Sequence, residues 1–299
     1  MTRPIRRPHA SRRLRAVVLF AALGSLTVAC AAPASPPGTP APAVPATRSA
    51  ARTAAVSYDM PADITSLVLP TTGEDTRWTQ GLDALGSLAA AWEADGCARD
   101  LGQSLPDSPP PMFTRYRALP DLTHLAAHGF AADNLVPGAP TAPRPGADAP
   151  ARPGPELRTC LSRGRAVGQE LVEVYGPLQS AWFTEVATID RTPEVRAAFA
   201  GLGDCLTAHR VDAADESAFF DLVDQRLQAA DDTAARGLGK VYATCMKPVE
   251  AVRQPLRARA ASRFRASHSA EITTVRARLP GKIADLEKRY RIRISFPKP

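Results

Sequence analysis

The placement of five cysteines limits the architectures open to this chain of 299 residues. Cys30 stands apart: it ends the run "LGSLTVAC" and is followed at once by proline-rich sequence. Cys97, Cys160, Cys205 and Cys245 lie 63, 45 and 40 residues apart in turn. Such spacings are far too long for the paired C-x-x-C arms of a structural zinc site, so no metal is expected at these sulfurs. With Cys30 set aside the remaining number is even, which in an exported chain favours two disulfides. Several connectivities satisfy four cysteines. Sequential pairing, Cys97 with Cys160 and Cys205 with Cys245, is the expectation, each crosslink contributing roughly 2–4 kcal/mol by restricting the unfolded chain.

Export is read from the first 29 residues. Arg3, Arg6, Arg7, Arg12, Arg13 and Arg15 precede an uncharged run from Ala16 to Ala29. Its 14 residues fall short of the roughly 20 that span a bilayer as a helix, so residues 1–29 read as a cleaved signal peptide. Two cleavage readings then account for Cys30. In one, "LTVAC" resembles a bacterial lipobox, and Cys30 is acylated and becomes the new N-terminus. In the other, Ala29-Cys30-Ala31 is an A-x-A site, and cleavage after Ala31 discards the cysteine. The first agrees better with the downstream sequence, because residues 31–47 hold six prolines among small residues, a composition that cannot bury a core. Fully extended, that tether reaches about 50 Å at ~3.1 Å per residue. The expected organisation is a signal at 1–29, acylated Cys30 and tether at 30–57, and one helical domain at 58–299. The expected location is the extracellular face of the plasma membrane, with a lipid anchor.

The formal charge of +7 is misleading. Removing the signal takes away six arginines and no acid, leaving a net of +1 that is strongly polarised: −9 over residues 30–245 and +10 over residues 246–299. One reading lays the basic helices across acidic ones inside the fold. The other makes Arg257, Arg259, Arg263, Arg265, Arg276, Arg278 and Lys282 a binding surface for polyanions, either anionic lipid or an anionic wall polymer. Nucleic acid is not an expected partner, since the segment lacks interleaved aromatics and the compartment is wrong.

The periodicity is mainly helical. Trp78, Leu82, Leu85, Ala89 and Trp92 recur at helix spacing from Thr76 onward and place Cys97 near a helix end. A short helix fits 121–130, followed by a loop at 137–155 with seven prolines in 19 positions. A helix from Leu157 to about Phe183 is expected to break or kink at Pro177. "TPEVR" carries a cap at Thr192, proline in the first turn and an acid at the positive end of the dipole. Further helices fit 215–230, 233–247 and 249–278, with "KIADLEKRY" following Pro280-Gly281. Only "RIRISF" at 291–296 alternates like a strand. The fold class is therefore all-α, an irregular disulfide-stabilised helical bundle with long Pro-rich loops.

Five short segments, "GCARDLG" at 96–102, "RYRALPDLTHLAAHGF" at 115–130, "TCLSRGRAVGQEL" at 159–171, "DCLTAHR" and "ATCMKP", carry a resemblance. They resemble a group of secreted and lipid-anchored actinobacterial proteins built from paired cysteine-containing helical blocks. The resemblance implies an envelope role and no particular activity.

Catalytic motifs are missing. His124 and His128 have the spacing at which two imidazoles share a metal, but Leu125 stands where H-E-x-x-H needs glutamate. There is no G-x-S-x-G elbow, P-loop or dinucleotide fingerprint. Paired acids such as Asp215-Glu216 and Asp231-Asp232 fall at expected helix starts, where they complement the dipole. No cofactor, metal or catalytic residue is expected. The leading expectation is a non-catalytic binding or accessory lipoprotein, with an envelope protein or anionic wall polymer as partner. The rival is a secreted hydrolase acting on wall polymers.

Overall fold

Helix α1 (Thr76–Asp100) and helix α3 (Pro155–Ile189) form the first half of the core. The computed structural model describes residues 54–105, 113, 119–130, 135–138, 153–229 and 231–298, all within one compact unit. The signal, Cys30, the tether up to residue 53 and positions 139–152 of the Pro-rich loop lie outside the described residues. Ahead of α1, Asp75 accepts from the amides of Thr71 and Thr72 and so fixes the turn that leads into the helix. Gly164 lets α3 lie directly on α1, since a Cβ there would sit 2.4 Å from the Ala90 carbonyl oxygen. The Cys97–Cys160 disulfide, 5.4 Å between Cα atoms, clamps the end of α1 to the start of α3.

The second half is organised by helix α7 (Asp232–Ser267), which continues after His268 as helix α8 (Ser269–Tyr290). Helix α7 collects the short helices α2 (Leu122–His128), α4 (Pro193–Phe199), α5 (Leu202–Ala208) and α6 (Glu216–Gln228). Gly129 ends α2 with φ of +68°, and a Cβ on Gly239 of α7 would lie 2.3 Å from its Cα. Phe130, Phe219, Phe220 and Tyr242 fill the space beside this crossing, with ring centroids 5.1–6.0 Å apart. The Cys205–Cys245 disulfide joins α5 to α7. Beyond Val249, α7 turns to α3, where Trp182 meets Phe264 edge-on at 5.3 Å and donates to the Pro70 carbonyl. Helix α8 then follows α3 and α1 through buried Ile272, Val275, Leu279, Ile283 and Leu286.

The all-α expectation and the sequential cysteine pairing both hold. The breaks expected at Pro177, Pro248 and Pro280 do not: these prolines, like Pro255, lie inside continuous helices. Each is on an exposed edge, where the carbonyl that loses its amide partner can turn to water. The real interruption between α7 and α8 falls at His268, whose ring stacks on Phe264 with centroids 3.9 Å apart. The expected tether boundary at residue 58 is also too late. Ala54 is buried and donates to Leu135, and β1 (Val56–Ser57) pairs antiparallel with β2 (Phe296–Pro297). The alternation in "RIRISF" reflects a docked tail: Ile292, Ile294 and Phe296 are buried, and only its last residue joins the ladder.

Candidate functional site

Arg257 corrects the expected basic surface. It is 1% exposed, on the inner face of α7 one turn from Arg253, which is 2% exposed. Two buried guanidiniums require partners. Glu250, on the preceding turns, supplies both oxygens: Oε1 accepts from Arg253 at 3.2 Å and from Arg257 at 3.4 Å, and Oε2 accepts from Arg257 Nη2. Asp190 at the end of α3 takes Arg253 Nε at 2.8 Å, and the Thr71 carbonyl takes Arg257 Nε at 3.2 Å. The Phe199 ring lies 4.5 Å below the Arg253 guanidinium. This network joins α3, α4, α7 and the segment before α1, so Arg257 is structural. A stripe of alternate charge and apolar residues does not reveal which arginine turns inward.

Three more of the seven expected residues are occupied. Arg263 pairs with Glu185 at 3.6 Å, Arg276 with Asp63 at 3.2 Å and Lys282 with Glu170 at 2.7 Å. Basic helices thus do lie across an acidic body. Arg259, Arg265 and Arg278 are exposed, with no ion-pair partner among the described residues. At about 100° per residue, Arg259 and Arg263 follow one edge of α7 and Arg265 the other. The structure therefore does not bring the seven residues into one patch.

Two other constellations were not marked by sequence. Glu93 receives Arg163 of α3 at 2.8 Å, and Arg289 and Tyr290 of α8 at 3.1 and 3.0 Å. Burial alone would raise its pKa. The hydrogen bonds from Tyr290 and Arg163 and the charges of Arg289 and Arg163 outweigh burial and hold Glu93 below the ordinary range. Burial, with the adjacent carboxylate, pushes the Tyr290 hydroxyl up to about 12. The second constellation is Cys205, His209 and Cys245, whose ligand atoms all lie within 4.8 Å of one another. The i, i+4 relation of Cys205 and His209 was visible, but Cys245 joins them only through the fold.

His124 and His128 lie with ring centroids 4.7 Å apart on α2. They belong to no group of three metal-ligating side chains among the described residues. Expected cap acids behave as such: Asp215 accepts from the Ala218 amide and Asp231 from Ala234.

Fold and side chains together define a disulfide-stabilised, irregular α-helical bundle. Comparison with protein-family models, with curated proteins and with solved structures finds no match. Among the described residues no helix is long and apolar enough to cross a membrane.

Proposed function

We propose that this chain is a non-catalytic envelope lipoprotein, exported, acylated at Cys30 and held on the outer face of the plasma membrane, where its helical domain binds another envelope component. The observation that carries the reading is the juxtaposition of a basic n-region, a 14-residue apolar run, Cys30 and a proline-rich stretch. Two paired disulfides in the folded domain suit an oxidising compartment. An anionic wall polymer is the favoured partner, because Arg259, Arg265 and Arg278 keep their charge in solvent while neighbouring basic groups are neutralised. The resemblance to lipid-anchored actinobacterial proteins points to the same compartment.

Mass spectrometry of the membrane fraction tests the anchor. A diacylated or triacylated N-terminal Cys30 is expected, and an unmodified N-terminus at Ala32 overturns it. Binding is tested by co-sedimentation of the folded domain with cell-wall sacculi retaining their anionic polymers. Saturable binding that weakens with salt is expected. The triple variant R259A/R265A/R278A should bind less and with a flatter salt dependence. Release of soluble wall fragments by the purified domain would overturn the non-catalytic reading in favour of a hydrolase.

A further inference from the structure

We propose that Cys205, His209 and Cys245 form a zinc(II) site that assembles when their disulfide is reduced by a dithiol. The proposal does not depend on the envelope-binding role. Among the described residues these three make up the one group of three or more metal-ligating side chains. Only two elements supply them. Cys205 lies in α5 and His209 is its C-cap, one helical turn on, so both face the same side; Cys245 comes from the middle of α7.

The geometry needs little adjustment. With Zn–S of about 2.3 Å and Zn–N of about 2.0–2.1 Å, tetrahedral ligands lie roughly 3.5–3.8 Å from one another. The three ligand atoms already lie within 4.8 Å of one another. The imidazole has to close by about 1 Å, and the two sulfurs, once unbonded, to separate by a little under about 2 Å. Side-chain rotation supplies both while α5 stays on α7. Two thiolates and an imidazole are soft donors suited to zinc. The fourth position opens toward solvent, because His209 is exposed and Cys205 partly so. A water can therefore complete the tetrahedron.

The same exposure distinguishes this disulfide from its counterpart. Cys97 and Cys160 are both buried, whereas Cys205 is partly exposed, and attack by a thiolate requires access to the disulfide. In the reaction the Cys205–Cys245 bond accepts two electrons from the dithiol, which becomes a disulfide, and the two dithiol protons pass to the freed sulfurs. Zinc then displaces both protons and is held by two thiolates and neutral His209, a set with no net charge. A small-molecule disulfide reverses the sequence: it takes two electrons from the two thiolates and is cleaved to two thiols, the Cys205–Cys245 bond re-forms and the ion is released. The protein thereby converts between a crosslinked and a metal-bound form of one site.

The test uses the purified exported chain, reduced with dithiothreitol, desalted under argon and titrated with cobalt(II) and then zinc(II). One cobalt per chain is expected, with thiolate-to-cobalt absorption in the near ultraviolet and the visible bands of a tetrahedral site. Zinc displaces it, and the oxidised chain shows neither feature. H209A keeps both disulfides when oxidised, and after reduction binds at least about tenfold more weakly, the lower end of what loss of even an outer partner costs. C205S/C245S shows no cobalt absorption. The proposal is overturned if the reduced chain takes up no metal, whether or not circular dichroism shows it folded. It is also overturned if H209A binds as tightly as the parent, or if C205S/C245S keeps the absorption, which would place the ion at Cys97 and Cys160.

Discussion

Glu250 keeps two positive charges inside a helical core. Its side chain is 14% exposed, while those of Arg253 and Arg257 are 2% exposed, so it is the group whose loss leaves charges that water cannot reach. Removing one partner of a buried ion pair typically costs about 3–5 kcal/mol. E250A should lower the urea unfolding free energy by that amount, with an unchanged m-value if the fold is kept. Glu93 gives a different, pH-dependent signal. Its folded pKa lies below the ordinary glutamate value of 4.5, so in acid the unfolded chain binds more protons than the folded one. The stability it contributes is complete above about pH 4.5 and is lost as pH falls through the folded value. Tyr290 acts on the opposite limb: raised from 10.0 to about 12, it contributes stability below pH 10 that disappears as pH rises toward 12. Urea midpoints across pH should fall at both ends. E93Q should flatten the acid limb and also shrink the loss above pH 10, since the carboxylate that helps raise Tyr290 is gone and burial remains, and a parallel acid limb in E93Q would refute the assignment.

Helix α3 shows how an element can outlast a local signal against it. Its 35 residues extend about 52 Å at about 1.5 Å per residue, with Pro177 in the middle. Leu171, Tyr175, Leu178 and Trp182 remain buried on one face across the proline. The continuity of that buried face outweighs one missing hydrogen bond, and the same holds at Pro248, Pro255 and Pro280. Helix existence and apolar faces were legible because burial imposes a 3.6-residue period on the residues themselves. Boundaries were not, because proline is a local signal and packing is not. Gly164 marks a close approach between α1 and α3. Any Cβ there meets the Ala90 backbone oxygen at 2.4 Å, and Ala94 Cβ lies 3.0 Å away, so neither neighbour can yield by side-chain rotation. G164V should force the two helices apart and cost about 1–3 kcal/mol, read as a lower thermal midpoint in the oxidised protein. A midpoint equal to the parent's would show that the helices do not need this contact.

At the scale of the molecule, the two crosslinks belong to different halves of the core. Cys97–Cys160 closes the α1–α3 pair and Cys205–Cys245 ties the short helices to α7. Limited reduction followed by alkylation and mass spectrometry should label Cys205 and Cys245 well before Cys97 and Cys160, since only Cys205 among the four is not buried. Labelling in the reverse order would contradict the exposures. An even set of four cysteines was legible, and sequential pairing was one of several connectivities open to it; the pairing itself is fixed by which helices cross. The site around Cys205 and Cys245 was not legible: three side chains separated by up to 40 residues converge only once α5 has settled on α7. The basic segment was legible as a charge imbalance, but whether a given arginine is neutralised depends on acids such as Asp63 and Glu170, far away in sequence. The pairing of β1 with β2 carries one mechanical consequence. Val56 faces Pro297, Lys298 donates to the Ala55 carbonyl, and Phe296 is wedged against Gly81 and Trp78. Tension applied through the residues ahead of Ala54 therefore loads the Ala54–Leu135 hydrogen bond, this two-residue clasp and its aromatic wedge before it reaches α1.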